Sequence, residues 1–125
     1  MKKSNIVGWF EIYVEDMERA KKFYQSVFQR GEFMDLSNEQ LQMFAFPWID
    51  EADGAAGALV KADFSKPSEN GTIVYFNCED CQTEELRANE NGGVVIMPKT
   101  SIGEFGFVST VKDTEGNVIG LHSKK

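Results

Sequence analysis

The clearest structural signal in the chain is the segment FEIYVEDMERAKKFY, residues 10–24. Its first half alternates with a period of two, which places Glu11 and Ile12 on opposite faces of a strand. Asp16 follows at a position where its carboxylate can cap the first turn of a helix. The apolar side chains behind this cap recur at helical spacing, as Ala20, Phe23, Tyr24, Val27 and Phe28. We therefore expect a strand over residues 6–14 that runs directly into an amphipathic helix.

The same order of signals occurs a second time, 64 residues further along the chain. A strand predicted over residues 72–78 leads into Glu79-Asp80, and a helix predicted over residues 81–91 ends at a glycine pair. The other segments with strand character are residues 32–36, 40–46 and 57–62, and then 94–97, 105–112 and 117–122. The sequence thus predicts a single domain of two βαβββ modules, about residues 5–62 and 72–123, joined by the loop 63–71.

Two such modules make an α+β fold in which each helix covers one face of a small sheet. Placed edge to edge, the two sheets are expected to curve into a partial barrel with the helices outside. The side chains that the helices leave uncovered would line the concave face: Trp9, Glu11, Tyr13, Ile73, Tyr75 and Asn77. We expect this concave face to be the ligand site.

The composition limits the possible functions. The chain carries 20 Asp and Glu residues against 13 Lys and Arg residues, and its formal net charge of -7 repels the phosphate backbone of nucleic acids. No apolar run approaches the roughly 20 residues that a membrane span requires. No apolar stretch of the kind found in signal peptides follows the charged start at residues 1–5. We expect a cytoplasmic protein with neither nucleic acid nor a membrane as its partner.

Residues 10–24 resemble the strand-Asp-helix opening of the vicinal oxygen chelate superfamily, which contains glyoxalase I, bleomycin-resistance proteins and extradiol dioxygenases. The segment KDTEGNVIGL, residues 112–121, is similar to the D-x-x-G-N closing hairpin of the same superfamily. The resemblance covers nearly the whole chain and implies the glyoxalase/bleomycin resistance/dioxygenase fold. It also implies a homodimer, because relatives commonly build the cleft between two chains. It does not imply one function, since the superfamily supports several reactions on one scaffold.

Enzymes of this superfamily generally hold a divalent metal with His, Gln or Glu side chains on inward faces of equivalent strands. The resemblance puts the matching positions at Trp9, Ile73 and Gly120. None of these side chains offers the lone pair that a divalent ion needs, so we expect no metal and no other cofactor. The resemblance then implies the branch of the superfamily that lacks metal ligands. A displaced metal site is an alternative, because Glu11 and His122 keep the inward parity and Gln42 could join them.

Glu11 and His122 are the candidate catalytic residues, since a carboxylate and an imidazole on one face can act in proton transfer. The candidate ligand-binding residues are Trp9, Glu11, Tyr13, Ile73, Tyr75, Gly120 and His122. Aromatic rings beside a carboxylate suit a small molecule that is bound by stacking and charge. The sequence slightly favours a glyoxalase/bleomycin-resistance-like protein that binds a small molecule in its concave cleft without a metal.

Two alternatives remain open. One is a glyoxalase-like lyase or isomerase, with a displaced metal site or with Glu11 as general base. The other is a regulatory domain whose cleft is vestigial. Cys78 and Cys81 form a separate C-x-x-C motif, and this spacing is also found in zinc and redox sites. We favour a structural role for both cysteines, because zinc needs two more ligands and Cys78 falls on the buried parity of its strand.

Overall fold

The computed structural model describes residues 5–125 of the chain. In this range the elements are β1 (Trp9–Tyr13), α1 (Met17–Phe28), β2 (Met34–Asp35), β3 (Gln42–Ala45), β4 (Ala56–Lys61), β5 (Tyr75–Asn77), α2 (Cys81–Glu90), β6 (Val94–Ser101), β7 (Phe107–Lys112) and β8 (Val118–Ser123). A short 3-10 turn covers Gly103–Phe105. Residues 1–4 of the charged N-terminal segment, where no signal peptide is expected, lie outside the described residues. Within residues 5–125, neither helix has the length and apolar character to span a bilayer.

The strands form two four-stranded sheets, in the orders β1-β4-β3-β2 and β5-β8-β7-β6. In each sheet the strand that precedes the helix pairs in parallel with the last strand of the same half, and the other pairs are antiparallel. The sheets do not join into a closed barrel, since no hydrogen-bonded ladder among the described strands links one sheet to the other. The α+β fold class predicted from the sequence is confirmed.

Both helices begin at the aspartates of the repeated Glu-Asp signal. The Asp16 carboxylate accepts a hydrogen bond from the backbone N–H of Arg19 at 3.1 Å. The Asp80 carboxylate accepts one from the N–H of Gln82 at 3.0 Å. An N-cap of this kind satisfies one of the free amides of the first helical turn, typically worth about 1 kcal/mol. The strand-to-helix junctions are therefore set locally by the sequence.

One hydrophobic core connects the two sheets. Phe10 of β1 and Phe76 of β5 meet edge to face with ring centroids 6.0 Å apart. Phe28 of α1 stacks on Phe76 at 4.5 Å. Tyr24 of α1 is completely enclosed among these rings. Because residues of both sheets share this core, the faces that point away from it have a fixed relative position.

The hairpin between β7 and β8 reaches back to the start of α1. The Glu115 carboxylate accepts hydrogen bonds from the backbone amides of Glu15 and Asp16 at 2.9 and 2.8 Å, and from Arg19 at 2.6 and 2.9 Å. The amide of Asn117 donates to the carbonyl of Tyr13 at 2.8 Å. The D-x-x-G-N segment thus ties the end of β1 to the second sheet.

Strands β1 and β2 are shorter than the predicted segments 6–14 and 32–36, and β5 and β6 differ from their predicted bounds in opposite directions. The strand predicted over residues 72–78 is reduced to Tyr75–Asn77, although the Val74 carbonyl still accepts a bond from Gly120. The strand predicted over residues 94–97 instead continues to Ser101, past Pro98. Proline lacks an N–H for the ladder, and the pairing of this strand with β7 shifts register on either side of Met97. The extension is therefore an irregular strand, which the sequence pattern did not reveal.

Candidate functional site

The outer face of β1 carries a hydrogen-bonded group of three side chains. The indole N–H of Trp9 donates to Oε2 of Glu11 at 3.2 Å. The hydroxyl of Tyr13 donates to Oε1 of the same carboxylate at 2.9 Å. Burial and the neighbouring Glu11 carboxylate raise the pKa of Tyr13, so this hydroxyl keeps its proton. The strand alternation therefore aligns the three side chains, and the two neutral donors fix the direction of the carboxylate.

A small apolar layer covers the rest of this face of the first sheet. This layer was not predicted from the sequence. It consists of buried and partly buried apolar side chains: Ala45, Ala58, Val60 and Ala62, with Tyr13, Leu41 and Met43. In register, Ala58 is the partner of Glu11 and Val60 is the partner of Tyr13, so they share one face. The signal that could have revealed the layer is the small-residue run AAGALV in residues 55–60.

The second sheet contributes an aromatic ring at the corresponding place. Tyr75 of β5 is the register partner of Gly120 of β8, and 49% of the Tyr75 side chain is exposed. A Cβ atom at Gly120 would overlap the Tyr75 ring, lying 2.7 Å from its Cγ and closer to other ring atoms. The ring thus lies over the glycine and leaves its outer surface open to a ligand. Asn77 and His122 are the next register pair on the same face of the sheet.

A groove of about 370 Å³ runs along the boundary between the two sheets. Its walls include Glu11 and Tyr13 of β1, Lys66 and Ser68 of the connecting loop, and Asn117 of the closing hairpin. This volume falls near the lower end of the 300–1,000 Å³ range of small-molecule sites. The exposed rings of Trp9 and Tyr75 lie on the faces of the sheets that point away from the core, and neither ring lines this groove.

The three positions at which the superfamily holds its metal do not suit a metal ion here. Trp9 uses its ring nitrogen as a hydrogen-bond donor to Glu11, Ile73 is a hydrocarbon and Gly120 lies beneath Tyr75. Ile73 also falls just before β5, with 41% of it exposed, rather than inside a strand as predicted. Divalent ions take oxygen, imidazole or thiolate ligands, and these side chains supply none. The chain therefore offers no chelating set at these positions.

The proposed catalytic pair is not joined by a hydrogen bond. Nε2 of His122 lies 2.8 Å from the carbonyl of Phe105, whereas Glu11 is bonded to Trp9 and Tyr13. Gln42, which was considered as a third ligand of a displaced metal, lies next to Met43 on the opposite parity and pairs with Lys61. Met43 shares the outer face with Val60, so Gln42 points to the other side of the sheet. Gln42 therefore points away from the side of the sheet that carries Glu11, so it cannot join a displaced metal site there.

Both cysteines are at least partly enclosed, and the environment of Cys78 disfavours its thiolate form. Cys81 is fully buried, and its backbone amide donates to Oγ of Ser123. Burial, together with the negative charge of Glu84, raises the pKa of the Cys78 thiol to about 12. Because the thiolate is the nucleophile and the metal ligand, Cys78 lacks the property that redox and zinc sites use.

Comparison with known structures identifies the architecture. Across the full length of both chains, 24% of residues are identical to TnmS3, an antibiotic binding protein from Streptomyces sp. CB03234, with a TM-score of 0.70. A glyoxylase/bleomycin resistance protein/dioxygenase domain from Frankia sp. EAN1pec is 14% identical over 99% of this chain and 100% of that one, with a TM-score of 0.74. The chain has the vicinal oxygen chelate fold. The resemblance seen in the opening and closing motifs is thereby confirmed.

Further comparisons agree with the vicinal oxygen chelate fold. A glyoxalase I mutant from Zea mays is 16% identical, with a TM-score of 0.72; the match covers 94% of this chain but 45% of the maize chain. The family model described as bleomycin resistance protein-like N-terminal matches residues 7–28, which hold β1 and α1. No curated protein matches the sequence. These levels of identity establish the fold, and the function has to be argued from the site.

Proposed function

We propose that this protein binds a small, flat organic molecule on the helix-free face of its two sheets, without the help of a metal. The observation that carries the proposal is the Tyr75 ring above Gly120, because an aromatic surface stands where metal-dependent members of the superfamily hold a carboxylate ligand. Trp9, with 40% of its side chain exposed, presents a second ring on the first sheet. Stacking of aromatic rings contributes about 0.5–1.5 kcal/mol beyond the buried area.

The neighbour TnmS3 supports the same proposal. It is an antibiotic binding protein, and the match to it extends over the full length of both chains. We extend binding of a small molecule to this chain because its exposed rings and groove supply the contacts that such a ligand requires. Its assembly as a homodimer, its cytoplasmic location and its division into two modules stay predictions from the sequence.

The experiment uses 1-methyl-2-quinolone, a neutral compound of two fused rings, as the probe. Isothermal titration calorimetry in the presence of excess EDTA should detect its binding to the unmodified protein. Tyr75→Ala and Trp9→Ala should each weaken binding about tenfold, since each removes one stacking surface. Both side chains are partly exposed, so we expect little change in the melting temperature.

Leu86→Ala is the matched control. Leu86 lies on α2, and 56% of it is exposed, comparable to Tyr75. Its truncation should leave the affinity for the quinolone unchanged, because α2 covers the opposite side of the second sheet. Binding that disappears with EDTA, or that Leu86→Ala weakens as much as Tyr75→Ala, would contradict the proposal.

A further inference from the structure

We propose that the ligand of this face is an organic cation and that Glu11 is the residue that selects it. The inference rests on the proposed function, since it names the chemical class of molecule that the same face binds. It follows from the way in which the Glu11 carboxylate is held and from the charges that surround it.

Two hydrogen bonds orient the Glu11 carboxylate without filling all of its acceptor positions. Among residues 5–125, each of its oxygens accepts one hydrogen bond, from Trp9 at 3.2 Å and from Tyr13 at 2.9 Å. An ionised carboxylate offers about four acceptor positions, so about two remain for a ligand. The side chain is exposed and contributes to the wall of the groove between the sheets. A donor on a ligand in that groove can therefore reach a carboxylate whose direction is already set.

Among the described residues, no cationic side chain pairs with the charge of Glu11. Within residues 5–125, no lysine, arginine or histidine nitrogen lies within 4.0 Å of its oxygens. The lysine that lines the groove, Lys66, lies 3.8 Å from Glu15. Lys112, on the outer parity of β7, lies 2.7 Å from Glu69 of the connecting loop. In the part of the chain that the structure describes, the site therefore presents a negative charge without an ion-pair partner, which attracts a cation and repels an anion.

The rings around the carboxylate also favour a cation. Trp9, whose indole N–H donates to Glu11, is partly exposed, and Phe64 packs edge to face on Tyr13 at 6.1 Å. The faces of such rings carry partial negative charge and attract ammonium and iminium groups within about 6 Å. The aromatic rings and the carboxylate thus act in the same direction on one ligand.

The geometry suits an organic cation rather than a metal ion. Calcium takes 6–8 oxygen ligands and magnesium requires an octahedral set. Within the described part of the chain, no three His, Cys, Asp or Glu side chains form a group that could hold a metal. The two groups bonded to Glu11 are donors, and neither offers an oxygen or nitrogen lone pair directed at the same point. A flat cation needs only one carboxylate and the ring faces.

The test compares three flat probes of similar size by calorimetry: 1-methylquinolinium as the cation, 1-methyl-2-quinolone as the neutral compound and 2-naphthoate as the anion. The unmodified protein should bind the cation at least tenfold more tightly than the neutral probe and the anion least tightly. Glu11→Gln should lower the affinity for the cation at least tenfold, to about the affinity that the same variant has for the neutral probe. Glu90→Gln, which removes the same charge from the exposed end of α2, should keep the preference.

The outcomes separate the inference from the proposed function. Equal binding of cation and neutral probe, or a preference that survives in Glu11→Gln, would overturn the role of Glu11 and leave the proposed function standing. Binding of none of the three probes would refute the proposed function and the inference together. Equal loss of preference in Glu90→Gln would show that net charge selects the cation, which also overturns the inference.

Discussion

Replacing Glu115 by Gln tests how the closing hairpin holds the two sheets together. The Glu115 side chain is inaccessible to solvent and accepts hydrogen bonds from the backbone amides of Glu15 and Asp16, from Arg19 and from Thr114. Burial alone would raise its pKa, but these donors outweigh that effect and lower the pKa from 4.5 to about 2. The carboxylate form is therefore stabilised by folding.

The lowered pKa of Glu115 gives the size of the destabilisation that we expect for Glu115→Gln. A difference of about 2.5 pKa units corresponds to roughly 3 kcal/mol, at about 1.4 kcal/mol for each unit. Because the folded pKa is the lower one, this contribution is present above pH 4.5 and is lost as the pH falls towards 2. Glu115→Gln should thus destabilise the protein by about 3 kcal/mol at pH 7, and by only about 1.4 kcal/mol at pH 3.

The assay is urea unfolding followed by circular dichroism at pH 7, 4.5 and 3, with the unmodified protein and Glu90→Gln beside the variant. Arg19→Gln should cost less than Glu115→Gln, because the two backbone amides and Thr114 still donate to the carboxylate. A loss for Glu115→Gln that is the same at pH 7 and pH 3 would refute the reasoning, since the effect would then not come from the ionised form. A loss at pH 7 well below 1 kcal/mol would refute it as well.

Two further predictions concern buried groups. Tyr24→Phe should lower the free energy of unfolding by about 1–3 kcal/mol, because the Tyr24 hydroxyl donates to Asp113 at 2.7 Å in the core; an unchanged urea midpoint would contradict this. Cys78 should resist iodoacetamide in the folded protein at pH 7.5 and react after unfolding, because its pKa is raised to about 12. Mass spectrometry measures the modification, and rapid labelling of Cys78 in the folded protein would show that the thiol is not protected.

The sequence predicted those parts of the fold that depend on local signals. The alternation in β1, the helical spacing in α1 and the two capping aspartates are all properties of neighbouring residues, and the structure follows them. The length of β5 was overestimated, because Ile73 has strand character but its pairing with β8 depends on distant residues. The extension of β6 past Pro98 was missed for the same kind of reason, since its irregular pairing depends on β7.

For the candidate site, the sequence predicted which face each side chain occupies but not its contacts. Parity placed Glu11 with Trp9 and Tyr13, whereas the two hydrogen bonds to its carboxylate depend on side-chain rotamers. The sequence assigned Glu11 and His122 to the face of the predicted cleft, yet His122 contacts the Phe105 carbonyl and not Glu11. The apolar layer of Leu41 and Met43 required the register of β3, which the sequence does not fix.

The ring of Tyr75 above Gly120 has a consequence for how this chain could evolve. Any larger residue at position 120 collides with the ring, so a glutamate there gains nothing until Tyr75 has become smaller. Loss of Tyr75 by itself would in turn remove an aromatic contact before any ligand for a metal had appeared. The choice of residue at position 120 thus depends on the residue at position 75, and a side chain larger than glycine at position 120 requires a smaller side chain at position 75.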